Sequence, residues 1–344
     1  MTNKSGKYQI HHLESADYVQ WDQFVSHHPN ATLFNTIAWA EIIESTFNRA
    51  FKILVINKKN VIKGGILYFP KSVSRLHTIP RVPITPYQSL LLQYPESKKT
   101  SGASAEEHEL TNLILNEICL QYNYIDLGLN SEITDIRPYK WHHFTADPVY
   151  TYTFFISGYE ELSKRFSQSL RRKINISRKG NHEIVTSKDT GQLLTFVTDS
   201  YRHHKIRPPV SADKIDSLVK ESIEKKIGKL FYLLIDKKPA AALFVLFDNN
   251  RVYALFSGID FKYRDEQYTE YLHAAVLQEP EYQGKMFDFL GANTADFEQF
   301  KRSFGGELRQ SFRVVYYKNT TTRFLLKLRE KQHLLARRIP GFQK

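Results

Sequence analysis

The sequence predicts a mixed α/β fold of the α+β kind, built as two similar halves, and three observations lead there. Its 344 residues exceed the ~100 to 150 of one ordinary domain. Its apolar residues switch repeatedly between helical and alternating spacing. The same order of elements also occurs twice, dividing the chain near residue 150.

In the first half, helical patterns over 18–27 and 37–47 precede the strand-like FKILVIN, a KKN turn and VIKGGILYF. In the second, 191–204 and 212–227 precede LFYLLID, a KKP turn and AAALFVLF. Each half then reaches an acidic strand, YIDLG at 124–128 and MFDFLG at 286–291. The first half carries an additional proline-rich stretch, RLHTIPRVPITPYQS, whose Pro80, Pro83 and Pro86 forbid a regular central strand and predict an ordered loop. Residues 159–179 read as one long helix with Leu162, Phe166, Leu170 and Ile174 or Ile176 as its apolar stripe, ended by a left-handed cap at Gly180-Asn181. The expected domains are 1–150, 151–318 and a basic amphipathic helix over 319–344.

Composition narrows the chemistry. No window approaches ~20 consecutive apolar residues, and the first residues lack the apolar run of a signal peptide, so the expected location is cytoplasmic. A single cysteine, Cys119, excludes an intrachain disulfide framework and reads as a small buried hydrophobe. The 13 histidines lack the i, i+4 spacing of a helical metal site, so no metal is expected.

The net charge of +12 is concentrated in two places. Seven cations and no acid lie between residues 162 and 183, and eight cations with one acid lie between 318 and 344. Such concentration points to an anionic partner. Arg171, Arg172, Lys173 and Arg178 are the expected phosphate clamp, since several guanidinium groups on one helix favour a diphosphate or nucleic-acid backbone.

No GxSxG elbow or Cys/His signature occurs, which leaves direct transfer without a covalent nucleophile. In DFEQFKRSF, Phe297, Phe300 and Phe304 bury one helix face and set Lys301 at its edge. The block FDFLG…FKRSFGG resembles the last part of a GNAT-type acyltransferase fold, most closely the FemAB-like peptidoglycan-bridge transferases and BioF2-like proteins. That resemblance implies two GNAT-like domains in tandem, the first on the acceptor side and the second on the acyl-donor side. It also makes Lys301 the catalytic lysine that touches the acyl carbonyl, with Phe300 beside it.

The resemblance further implies acceptor-side contacts from Trp39, from the PITPY loop with Tyr87, and from the segment Tyr201, Arg202, His203, His204, Arg207, in which either histidine would take a proton from the amine. Phe256 and Ser257 on the strand VYALFSGID, and Arg264 after it, are further expected substrate contacts. The loop FKYRDEQYTEYLHAA stands where related enzymes cradle coenzyme A pyrophosphate, yet it contains no glycine and has Glu266 and Glu270. No permanently bound cofactor is expected; acyl-CoA or aminoacyl-tRNA are the implied donors. The sequence shows no coiled-coil arm of the kind typical Fem transferases carry.

The expected function is acyl or aminoacyl transfer to an amine, on a phosphate-bearing envelope precursor or sugar, in a groove enclosed by the two lobes. The alternative is a non-catalytic module that binds nucleic acid or membrane through its basic segments. tRNA, a carrier-linked substrate and peripheral contact of 320–344 with anionic lipid are the partners that fit.

Overall fold

The computed structural model describes residues 7–73, 75–93, 99–203 and 208–336. They form two compact units that do not follow a simple cut at 150. The first contains residues 1–30, 49–147 and 312–344, the second 31–48 and 148–311. The expected pair of continuous domains is corrected by this exchange. The helix Ile37–Phe47 packs on Ala212–Glu224 in the second unit, and the tail after residue 311 belongs to the first.

In the first unit, Gln9–His12, Lys52–Lys58, Val61–Tyr68 and Leu91–Leu92 form an antiparallel sheet. The turn between its central strands has Lys59 at φ 51° and Asn60 at φ 61°. Two successive left-handed residues match the twist of a tight hairpin. Helix Thr100–Gln121 covers this sheet with Leu110, Ile114, Leu115 and Ile118. The strand Tyr124–Gly128 pairs with Leu76–Ile79 in parallel and with residues 313–317 antiparallel. Asp126, 2 % exposed, accepts two hydrogen bonds from the Arg313 guanidinium, at 2.9 and 2.7 Å. The proline stretch is part strand, Leu76–Ile79, and part loop. Its loop rests on Gly128, where a Cβ would lie 2.0 Å from the Pro86 carbonyl oxygen.

The second unit is a six-strand arrangement running from residues 148–155 through Met286–Asp288, Arg251–Ile259, Lys238–Phe247 and Gly228–Ile235 to Glu183–Ser187. Its hairpin repeats the turn of the first unit, with Asp236 at φ 48° and Lys237 at φ 62°. One sheet face packs Leu243 and Val245 with Leu272 and Val276 of helix Tyr268–Val276. The opposite face carries helix Gly191–His203, whose Phe196 lies so close to Gly258 that a Cβ there would meet it at 2.7 Å.

The long helix expected over 159–179 is two helices, Tyr159–Arg165 and Gln168–Ser177. Phe166 is extended at ψ 142°, and the Ser167 hydroxyl accepts from the Leu170 N–H at 3.1 Å. Serine is a strong N-cap, so a new helix starts while the apolar stripe continues across the break. Ile176 is exposed and Ile174 buried, which fixes the stripe, and Gly180 lacks the positive φ expected of it. The last helix, Thr320–Ala336, exposes Phe324, Leu325 and Leu328. Among the described residues, no helix is long and apolar enough to cross a membrane.

Candidate active site

The site is made by a strand that loses its neighbour. Arg251–Ile259 pairs in parallel with Met286–Asp288 only at Arg251, Val252 and Tyr253. Beyond the Tyr253/Asp288 pair the two chains part. On its other side the same strand pairs Ala254 with Val245 and Phe256 with Phe244, leaving Leu255 as the extra residue of a bulge. A bulge re-aims backbone groups and bends its strand. A cavity of about 340 Å³ fills the opening, walled by residues 254–257, the turn after Asp288, His273 and the helix Ala295–Ser303.

The turn at 288–291 is held from several sides. Leu290 has φ 52° and Gly291 φ 97°. The Asp288 carboxylate, 1 % exposed, accepts from the Thr151 hydroxyl at 2.7 Å and from the Leu290 N–H at 2.8 Å. The same Thr151 oxygen accepts from the Gly291 N–H at 3.1 Å. A left-handed leucine is strained, and such strain persists only where surrounding bonds over-determine it.

Lys301 reaches into this turn from its helix. Its Nζ donates to the Phe289 carbonyl at 2.7 Å and also to the Gly291 carbonyl. An ammonium has three donors, so one remains after these two bonds. Burial pushes the Lys301 amine down to about 8, and the nearby Asp288 carboxylate opposes that fall. At pH 7 the ammonium form therefore still predominates by about ten to one.

His273 shares the cavity. Its Nδ1–H donates to the Thr269 carbonyl, one helical turn back, at 2.8 Å. The ring lies among Phe289, Phe300 and Phe304, with centroids 6.2, 5.2 and 5.9 Å away. Burial, reinforced by the positive charge of Lys301, lowers it to about 4, so it is neutral at pH 7.

Of the residues expected from sequence, Tyr201, Phe256, Ser257, Phe300 and Lys301 come together on this cavity. Lys173 lies in a neighbouring pocket with Ser167, Ser169, Glu270 and Arg302, and is paired to Glu270 at 2.9 Å. Phe300 lines both pockets. Arg171, Arg172 and Arg178 are exposed on the outer side of their helix, Arg178 over the Tyr159 ring at 5.5 Å. Arg202 pairs with Asp199, and Arg264 is exposed beside Asp265.

Other expected contacts are corrected. Trp39 is fully buried, edge-on to Phe34 at 5.2 Å, and so belongs to the core of the second unit, where no substrate reaches it. Tyr87 is 6 % exposed, a buried side chain of the first unit. His203 is exposed and lies against Phe261, outside the residues that line the cavity. His204 and Arg207 lie outside the described residues. Sequence reasoning missed His273, Ser200, Asn293 and Thr294, all of which line the cavity.

Residues 164–302 match the family model described as an acetyltransferase (GNAT) domain. Among solved structures, FemX is similar over 92 % of this chain and 99 % of its own, with a TM-score of 0.69 and 13 % identity. The fold is a tandem GNAT-like one. A tandem GNAT protein from the clavulanic acid biosynthesis pathway is similar over 91 % of this chain and 99 % of its own, with a TM-score of 0.51 and 8 % identity. The C-terminal domain of a putative lysylphosphatidylglycerol synthetase from Agrobacterium fabrum matches over 91 % of this chain and 95 % of its own, at a TM-score of 0.55 and 11 % identity. No curated protein matches the sequence. The domain match over residues 164–302 supports acyl transfer as the general chemistry of that segment.

Proposed function

We propose that the second unit transfers an acyl group to an amine by direct attack, with the donor carbonyl in the cavity where Arg251–Ile259 and Met286–Asp288 separate. The single observation that carries this reading is Lys301, an ammonium inside that cavity with one donor left over from its two carbonyl bonds. Attack forms a carbon–nitrogen bond and places negative charge on the carbonyl oxygen. The remaining Lys301 proton and the backbone at the Leu255 bulge, which lines the cavity, are suited to meet that charge. A positioned donor of this kind commonly contributes ~3 to 4 kcal/mol to the rate. Collapse breaks the bond to the donor's sulfur or oxygen, and the amine's proton ends on that leaving group.

The donor is an acyl-CoA or an aminoacyl-tRNA, and the acceptor an amine on a phosphate-bearing envelope precursor or sugar, within the cytoplasm. Support for phosphate in one substrate comes from the exposed Arg171, Arg172 and Arg178. The same cations support a second reading, a binding module for nucleic acid or anionic lipid that needs no chemistry. Thermal unfolding with acyl-CoAs, aminoacyl-tRNA and nucleotide-linked sugars separates the two. Stabilisation by one donor class, followed by mass-spectrometric detection of the new amide, is the expected result. Affinity for tRNA that falls steeply with salt and persists in Lys301→Met, with no donor stabilising the protein, would establish the binding module instead.

A further inference from the structure

His273 is a buried imidazole whose two nitrogens are not equivalent. Its Nδ1–H is committed to the Thr269 carbonyl at 2.8 Å, which fixes the neutral tautomer with a lone pair on Nε2. That second nitrogen has no hydrogen-bond partner among the described residues, although the side chain is 2 % exposed and lines the cavity. An acceptor without a protein partner is satisfied by whatever occupies the cavity that its side chain lines, water or a substrate. The charged groups that act on it are Lys301, from the helix Ala295–Ser303, and Glu270 on its own helix.

We propose that His273 Nε2 accepts a hydrogen bond from the attacking amine, holding that nitrogen as a neutral nucleophile with its own lone pair turned toward the carbonyl beside Lys301. This rests on the acyl-transfer reading and adds a residue to it. The imidazole takes no proton: with burial holding it near 4, it stays an acceptor across the neutral range, and the proton that the amine loses leaves with the departing thiol or alcohol. A neutral acceptor beside a cation also selects substrate charge. An ammonium, which has no lone pair and would crowd Lys301, is refused, whereas the free amine is bound.

The test uses the full chain with the N-acetylcysteamine thioester of acetic acid as donor and simple primary amines of different basicity as acceptors, read by amide formation. His273→Phe keeps a ring among Phe289, Phe300 and Phe304 and removes the acceptor; His273→Gln supplies a carbonyl oxygen in its place. Expected are a loss of about 10- to 100-fold in kcat/KM for the Phe variant, partial recovery in the Gln variant, and unchanged unfolding temperatures. The acidic limb of the pH profile should follow the amine chosen and be the same in wild type and the Gln variant. Wild-type rates in His273→Phe, or an acidic limb near pH 6 present in wild type and absent in His273→Gln, would overturn the assignment. A wild-type protein that acylates none of these amines with any thioester would instead defeat the acyl-transfer reading beneath it.

Discussion

Replacing Lys301 by methionine separates chemistry from stability. In the native protein the ammonium carries a burial penalty: a fall from the ordinary 10.5 to about 8 corresponds to roughly 3 kcal/mol. Methionine removes that penalty and keeps the stem. It also forfeits the bonds to the Phe289 and Gly291 carbonyls, charge-assisted contacts worth about 1.5 to 3 kcal/mol each, although cavity water can partly replace them. The opposing terms leave a net change within about 2 kcal/mol. The oxyanion contribution has no such compensation, and its loss should lower kcat by about 100- to 1000-fold. Thermal unfolding and single-turnover amide formation on the same preparations measure the two effects. Activity within twofold of wild type would refute the role given to Lys301. A variant that fails to fold would show that the lysine chiefly holds the turn at 288–291.

The ionisation of Lys301 also predicts a pH signature. Between about 8 and 10.5 the unfolded chain keeps this proton while the native protein has lost it, so stability conferred at this site rises with pH across that window. The stability of wild type minus that of Lys301→Met, followed by urea titration at several pH values, should therefore increase from pH 8 to 10.5; a flat difference would contradict the lowered value. Gly305→Ala should cost at least about 2 kcal/mol, because φ is 72° and a Cβ would lie 2.2 Å from the Arg165 carbonyl oxygen. Its unfolding midpoint is the readout, and an unchanged midpoint would count against this local geometry. Arg313→Leu should destabilise by about 3 kcal/mol by removing the cation from the buried Asp126 carboxylate, which keeps the hydrogen bond from the Tyr124 hydroxyl, with Asp126→Asn, Arg313→Leu together recovering part of the loss in the same melt. Removing residues 320–344, which include the exposed Phe324, Leu325 and Leu328, should abolish flotation with anionic liposomes; equal recovery of both forms would eliminate a membrane role for that helix.

Local patterns were legible in the sequence because local physics determines them. The two hairpins announced themselves through alternating apolar runs around short polar turns, and the structure gives both turns successive left-handed residues, at Lys59–Asn60 and Asp236–Lys237. The spacing of Phe297, Phe300 and Phe304 did not by itself give the surroundings of Lys301: Phe297 is exposed, Phe300 half-buried and Phe304 alone fully buried. The break at Phe166–Ser167 was not legible either, since the apolar stripe passes through it unbroken and only the serine cap reveals it. Trp39 misled because an aromatic beside a helix start looks alike whether it faces a groove or a core. His273 was invisible for another reason: its meaning depends on which nitrogen the Thr269 carbonyl occupies and on two strands parting nearby, neither of which any sequence window contains.

The exchange of segments between the units bears on how this protein can be made. Residues 31–48 are made well before their partners, which they find only after Ala212–Glu224 and Tyr253 have been synthesised: Phe34 meets the Tyr253 ring, and the Leu33 N–H donates to Asp248. Conversely, the strand Tyr124–Gly128 waits for residues 313–317, which are made long after it. Expression of either half alone, cut at 150, would therefore yield a chain with a missing layer, and each uncovered edge stays open to a chaperone until its later partner is made.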